Sequence, residues 1–462
     1  MALLPHVSAE ILYQKIAPIL TGLMTASALS HGDLSSVEEH IGKALKQIIP
    51  LVISSGLRAC SEQASEAMSC PDCGLRLSVW HKRDRAIMTA YGEGSLCVRR
   101  FRCKRCKKDH YPLQVQNDLE GSHFTLGARR LIADEASYSP YTRAAERLEQ
   151  IGIRVSSSEV DRIVEEVSEL RKMEEDVVRA HLCQKGSDLP LPLHDWSPWQ
   201  RCSKDIPCVM SVDGAMVRSD QLGVRGLEWF EVRAGVMCLD GHEDHKVCVG
   251  GFMEPDKLFE TLRSQWRQSP HRNRRLVFVA DGANWIWDRV RYYFPFAIEV
   301  LDVYHAAEHV GSAARACWGE HNETTAAWVK DAKGMLLKEH GVQRVIAELI
   351  AAMRSIVVNI EVLRTELRYL WRNRHRMNYY WLRSQQLPVG SGIMESTIKQ
   401  LATQRLRMPG MMWSRTGADQ ILRLRAAVLS KSLHLTMERQ RRICANRMQK
   451  FKTKTNAFRQ AI

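Results

Sequence analysis

Residues 208–214 read Cys-Val-Met-Ser-Val-Asp-Gly and residues 276–282 read Leu-Val-Phe-Val-Ala-Asp-Gly. Each is a short apolar run closed by an aspartate and then a glycine. Runs of this length, rich in β-branched residues, read as buried strands rather than helices. In an α/β sheet, ligands sit at the carboxyl ends of the strands. Asp213 and Asp281 are therefore expected at such an edge, and if their strands are parallel neighbours the two carboxylates converge.

Working outward, 229–236, 246–250 and 297–301 are further strand-like runs, with helical stretches at 255–268 and 284–293. Three consecutive strands followed by alternating helix and strand predict an α/β fold. The expected architecture is a mixed five-stranded sheet in the ribonuclease-H-like order, covered by helices on both faces. From 304 to about 380 the pattern is helical throughout, an all-α insertion ahead of a last helix at 393–407.

Two carboxylates brought together cannot both ionise comfortably without a cation between them. Mg²⁺ suits such a pair, since it takes one or two carboxylates and completes its octahedron with water and phosphate oxygens. A third acid, Glu395, lies in Val-Gly-Ser-Gly-Ile-Met-Glu-Ser (389–396). It follows Ser391 by four residues, whereas a capping box needs three. Between Arg368 and Arg425 there are eleven Lys or Arg and only two acids, Glu395 and Asp419. A lone carboxylate in such surroundings suits a metal at a phosphate-lined site. Two ions, Mg²⁺ or Mn²⁺, are the expected cofactors, and the glycine after each aspartate is read as room for a nucleic-acid backbone.

The 13 cysteines include two tight pairs, Cys70-Pro-Asp-Cys73 and Cys103-Lys-Arg-Cys106, separated by 29 residues. Two such knuckles complete a tetrahedron, so a structural zinc on Cys70, Cys73, Cys103 and Cys106 is expected. Around the second pair, Arg99, Arg100, Arg102, Lys104, Arg105 and Lys107 form a dense basic run. With Arg405 and Arg407 near Glu395, they are the expected phosphate contacts.

The formal net charge of +14 suits a polyanionic partner, although a merely basic enzyme has the same balance. The apolar stretch 16–29 is broken by Pro18 and Gly22, and no run is long enough to span a bilayer, so a cytoplasmic protein without membrane contact is expected. The expected organisation is a helical region (1–60), a zinc ribbon (61–115), a helix–turn–helix-like domain (116–183), and a proline-rich linker (184–207). The core follows (208–303), interrupted by the helical insertion (304–388), then completed by 389–430 and a solvated or DNA-tracking basic tail (431–462).

The segment 213–427 resembles the catalytic region of Kra-group insertion-sequence transposases, relatives of the Mutator-like DDE enzymes. The resemblance rests on Ser-Val-Asp-Gly (211–214), Ala-Asp-Gly-Ala-Asn-Trp-Ile (280–286), Leu-Asp-Val-Tyr-His-Ala-Ala-Glu-His (301–309) and Gly-Ser-Gly-Ile-Met-Glu-Ser (390–396). It implies that Asp213, Asp281 and Glu395 are a DDE triad and that Asp302 and His305 form a D-x-x-H signature, with His305 at the active site. It also implies double-stranded DNA partners, both transposon ends and target, and a homo-oligomer assembled on them. Asp302 also ends a strand and could share the part assigned to Asp281.

Rival readings exist. His305, Glu308 and His309 match the H-x-x-E-H pattern of zinc peptidases, which needs a further carboxylate downstream. A zinc-ribbon DNA-binding protein that has lost catalysis, or a nuclease without strand transfer, would carry many of the same features.

Overall fold

The computed structural model describes residues 6–25, 34–62, 67–183, 192–223, 226–270, 273–320, 322–354 and 357–459. The chain forms two compact units, one of Met1–Leu170 with Leu433–Ile462 and the other of Arg171–Ser432. That division differs from the expected boundaries: it falls inside a helix rather than in the proline-rich stretch.

The first unit opens with α1 (His6–Met24) and α2 (Leu34–Glu62). Ile41, Leu45 and Ile49, the helical-spaced apolar residues of α2, remain 41%, 47% and 36% exposed, so this stripe is not the one α2 buries. A sheet follows in the order β1 (Ala67–Ser69), β2 (Arg76–Thr89), β3 (Gly92–Arg102) and β4 (Asp109–His110), antiparallel throughout. Then come α3 (Pro112–Gln116), α4 (Leu126–Tyr138), α5 (Tyr141–Gln150) and α6 (Ser157–Cys183), which runs on into the second unit.

The second unit begins with α6's last turns and α7 (Ser197–Gln200), where Trp196 and Trp199 are buried. The expected linker is thus partly core. β5 (Cys208–Gly223), β6 (Gly226–Leu239), β7 (Val247–Gly251), α8 (Pro255–Gln268), β8 (Leu276–Ala280), α9 (Asn284–Tyr293) and β9 (Ile298–Leu301) follow. The sheet order is β7-β6-β5-β8-β9, with β6 antiparallel to both its neighbours and β5, β8 and β9 mutually parallel. This is the expected five-stranded mixed sheet. β5 and β6 run longer than predicted because their hairpin continues past the apolar stretch.

Strand alternation sorts the side chains between two cores. Cys208, Met210, Val212, Phe278 and Ala280 pack with α8 and α9. Val209, Val277 and Val279 pack on the other face with the helical insertion. That insertion comprises α10 (Val303–Trp318), α11 (Glu323–Leu336), α12 (Gly341–Ala352), α13 (Ile360–Asn373) and α14 (Tyr379–Ser384). Asp213 and Asp281, next in the odd-numbered series, belong to this second face.

The expected last helix is not uniform. α15 (Gly392–Ile398) passes through a π-helical turn (Lys399–Thr403) into α16 (Gln404–Leu406). The wider turn loosens carbonyls that a regular helix would satisfy, and buried Arg425 of α17 (Arg415–Leu429) takes them: its Nε donates to Gln400 O at 2.8 Å and Leu401 O at 3.0 Å. Arg405, expected to contact phosphate, is 1% exposed with its guanidinium over Trp413, so its charge is committed to packing.

The basic C-terminal stretch is α18 (Leu433–Arg459), which belongs to the first unit and packs against α3, α4 and β1. Leu433, Met437 and Cys444 are buried, and Gln440 donates to Asp118, which also pairs with buried Arg129. The expectation of a solvated tail is corrected for these residues: a sparse apolar stripe at helical spacing lies hidden among the cations.

Arg425→Met keeps the bulk of the side chain and leaves the π-turn carbonyls without their donor. Chemical denaturation should show a loss of about 1–3 kcal/mol, the cost of a buried unsatisfied polar group.

Candidate metal centres

β5 and β8 pair in parallel with Cys208 beside Leu276, Val209 beside Val277 and Met210 beside Phe278. Carried forward, this constant offset sets Asp213 level with Asp281 at the carboxyl edge. Ser211 Oγ donates to Val279 O two residues earlier and holds the two strands in that register. The next pair, β8 and β9, aligns Ala280 with Leu301, so Asp302 falls level with Asp281. Asp281 and Asp302 thus follow directly on the ends of β8 and β9, level with Asp213 inside the longer β5, where the sequence suggests a strand end.

They are not equivalent. Asp213 is half-buried, accepts from Gly214 N at 2.7 Å, and has its carboxyl pushed above the usual range. Burial is the main cause, and the charges of Asp281 and Glu231 add to it, while the Gly214 N–H and His305 work against it. Asp281 accepts from Ala283 N at 2.9 Å, which shapes the turn into α9.

Asp302 is 1% exposed and its carboxylate is engaged on both oxygens. Oδ1 caps α10 by accepting from Tyr304 N at 2.6 Å and His305 N at 3.1 Å, and Oδ2 accepts from Ser391 N. The D-x-x-H spacing is therefore a helix cap that fixes the start of His305's helix. The same carboxylate ties down the Gly-Ser-Gly turn that leads to Glu395.

Glu395 itself is exposed on α15, whose Met394 and Thr397 are buried and whose helix packs against β5 and β6. Among the described residues, Asp213, Asp281 and Glu395 do not close to within 4.8 Å of one another. Asp281 and His305 lie near enough to Asp213 for their charges to act on its carboxyl, although they too form no group within that distance.

The glycines after the aspartates have a different use from the one expected. A Cβ on Gly214 would collide with the Glu231 carboxylate, and one on Gly282 with the Tyr369 ring. Both positions are small because side chains already press on them. Glu231, on β6 and paired with Arg233 at 2.6 Å, was not singled out from the sequence. Its signal was an acid and a base at alternate positions of a mostly apolar strand.

The H-x-x-E-H residues are spent elsewhere. His305 lies 3.3 Å from Glu308, while His309 lies 2.5 Å from Glu366 of α13 and stacks on Tyr369 at 3.5 Å between centroids. These residues form no candidate metal group among the described residues.

The cysteine cluster is compact: the Sγ atoms of Cys70, Cys73, Cys103 and Cys106 lie within 4.8 Å of one another. The two knuckles share one backbone pattern. Gly74 N donates to Cys70 O, as Lys107 N does to Cys103 O, each at 2.9 Å. Both donors have positive φ, 74° at Gly74 and 59° at Lys107. The backbone N–H groups of Cys106 and Arg105 help bring the Cys103 thiol down to about 7, while Cys73 first, then burial, pushes Cys106 up to about 12. Four crowded sulfurs with two N–H-lined knuckles fit a tetrahedral zinc, and this cluster could hold one. His110, also missed in the sequence, places Nε2 3.6 Å from Cys70 Sγ, where it can orient that ligand.

Of the basic residues around the second knuckle, Lys104, Arg105 and Lys107 are exposed. Arg100 pairs with Asp109 at 2.5 Å, Arg102 lies over exposed Trp80 at 5.3 Å, and Arg99 is buried. Arg407, exposed, donates from Nε to Met216 O at 2.7 Å.

No protein-family model matches the chain, and no curated protein matches it. Among solved structures it is similar to the Drosophila P element transposase strand transfer complex, at 12% identity and a TM-score of 0.25, over 70% of this chain and 83% of that one. So slight a likeness carries no argument about function. No helix among the described residues is long and apolar enough to cross a membrane.

Two outcomes follow from the geometry. Protein purified without chelator should contain one zinc per chain, and strong chelation should unfold the ribbon, since structural zinc contributes roughly 10–16 kcal/mol in small modules. The second concerns Asp213. Its folded-state pKa is raised, so the folded chain holds a proton that the unfolded chain has released, and metal-free stability falls as pH rises through that window. Asp213→Asn should remove that slope and raise the melting temperature at pH 7, the gain vanishing below an ordinary Asp pKa of about 3.9.

Proposed function

We propose that this chain is a DNA transposase of the DDE type, from an insertion sequence of the Kra group, which cleaves transposon ends and joins them to target DNA. The observation that carries the reading is the level placement of Asp213 and Asp281 on adjacent parallel strands. Their shared burial and mutual repulsion suit a divalent cation. The strand order β7-β6-β5-β8-β9 supports a ribonuclease-H-like core, and the motifs around Asp213, Asp281, Asp302 and Glu395 support the group.

Asp213, Asp281 and Glu395 would hold Mg²⁺ or Mn²⁺, and two such ions supply Lewis-acid stabilisation of the attacking and leaving oxygens of an in-line displacement at phosphorus. The chain's own share is placement. The sheet register fixes the two aspartates, and Asp302 fixes both His305's helix and the turn before Glu395. His305, beside Asp213, offsets part of the negative charge there. Lys104, Arg105 and Lys107 on the zinc ribbon would contact duplex phosphates, and assembly on DNA ends would bring copies of the chain together.

The exposed position of Glu395 favours one second reading, a zinc-ribbon DNA-binding protein without catalysis. A single experiment separates them. The protein is incubated with Mg²⁺ and labelled duplexes carrying the ends of its own locus, and nicked and joined products are scored. Asp213→Asn and Glu395→Gln should each abolish products while leaving duplex affinity within about twofold. Wild-type binding with no product in Mg²⁺ or Mn²⁺ would establish the second reading, and cleavage by Glu395→Gln at the wild-type rate would remove Glu395 from the triad.

A further inference from the structure

A cavity of about 850 Å³ opens beside Asp281, with Gly282 in its wall and α13 along its length. Its floor is apolar, from Ile346, Ile350 and Leu367. Its rim is Arg364, Arg368 and Arg372, spaced four residues apart on α13 and all exposed. Successive members of such a row rise about 6 Å along the helix, as four residues at about 1.5 Å each require. Like charges at this spacing work against the helix that carries them. Arg364 pairs with Glu361 at 2.8 Å and Arg372 donates to Asn284, whereas Arg368 has no side-chain partner among the described residues. No residue lining the cavity is acidic.

Aromatic surface completes the site. Trp371 is 56% exposed at the cavity with the Arg374 guanidinium 4.1 Å from its ring centroid, and Tyr369 closes the end at Gly282. A row of cations beside an exposed aromatic ring and an apolar floor is the combination that holds unpaired nucleic acid, with phosphates on the arginines and bases on the rings. The volume falls within the range of roughly 300–1,000 Å³ typical of small-ligand sites, room for a nucleotide rather than a duplex.

We propose that this groove binds single-stranded DNA, the strand that leaves the Asp213–Asp281 edge. The inference rests on the proposed function and adds to it a strand-specific site within the helical insertion. Phosphates lie along Arg368 and Arg372, an unpaired base stacks on Trp371, and the adjoining nucleotide reaches Asp281 past Gly282. A free nucleoside triphosphate has the same chemistry, but the open row of arginines continues past one nucleotide's length, which favours a strand.

The test measures anisotropy of a short labelled single-stranded oligonucleotide and of a labelled duplex, without metal, on the full chain. Trp371→Ala should weaken single-strand binding about 5- to 100-fold, and Trp371→Phe should recover most of it. The double variant Arg368→Ala, Arg372→Ala should lose a similar factor and flatten the salt dependence by about 0.7 for each phosphate no longer neutralised. Duplex binding should stay within about twofold for each, with unchanged melting temperatures as the folding control. Unchanged single-strand affinity, or an equal loss on duplex, would overturn the inference. So would competition by a nucleoside triphosphate at micromolar concentration, which would assign the site to a free nucleotide. If these variants bind as wild type while wild type still cleaves with Mg²⁺, only this inference falls; if wild type binds no DNA, the proposed function falls with it.

Discussion

The parallel pairing of β5 with β8 is the constraint on which the rest of this unit depends. β5 is the central strand, antiparallel to β6 on one side and parallel to β8 on the other, so its register sets the sheet in both directions. A one-residue slip would turn Asp213 from the face of the helical insertion to the face of α8 and α9, and would send Val212 the other way. The apolar alternation on both strands forbids that slip, because each face is buried in its own core. Side-by-side aspartates are therefore a consequence of packing two cores around one ladder.

Both candidate metal centres follow the same electrostatic logic. At the carboxylate edge, burial and Asp281 raise the carboxyl of Asp213, and in the ribbon four thiols crowd each other's titration. Each is an arrangement of like groups that is costly alone and relieved by a cation. They differ in completeness. The ribbon has all four ligands gathered by two matching knuckles, whereas the carboxylate edge has two acids placed and the third on an exposed helix face. Four gathered thiols can close a tetrahedron by themselves, whereas two carboxylates leave most of a cation's positions to other ligands.

The sheet was legible because its signals are local. α8, β8 and α9 begin and end where periodicity and glycine punctuation predict, and the C-x-x-C pairs announce their cluster. What escaped the sequence depends on partners far along the chain. The capping role of Asp302 needs Ser391, and the smallness of Gly214 and Gly282 is explained by Glu231 and Tyr369. Arg405 looked like a phosphate contact because its burial against Trp413 has no local sign. α18 looked solvated because charge outnumbers its few buried residues. A π-turn leaves no periodic trace at all, although Arg425 satisfies its carbonyls.

The helical insertion is keyed into the carboxylate edge at several points. Glu366 meets His309 of α10, Tyr369 presses on Gly282, and Arg372 holds Asn284 at the start of α9. Just past α13, Arg376 pairs with Glu299 of β9 at 2.6 Å and stacks over Trp287, whose Nε1 donates to Asp281 O at 2.8 Å. α13 thus bears on Gly282 within the Asp281 turn and on Asn284 just after it. A ligand that shifts α13 must either carry that turn with it or break interactions already made by buried groups. Protein cores respond to such loads by switching between packed arrangements rather than by bending continuously. A ligand in the arginine-rimmed groove would therefore bear on the Asp281 turn through side chains that touch it directly, Tyr369 at Gly282 and Arg372 at Asn284.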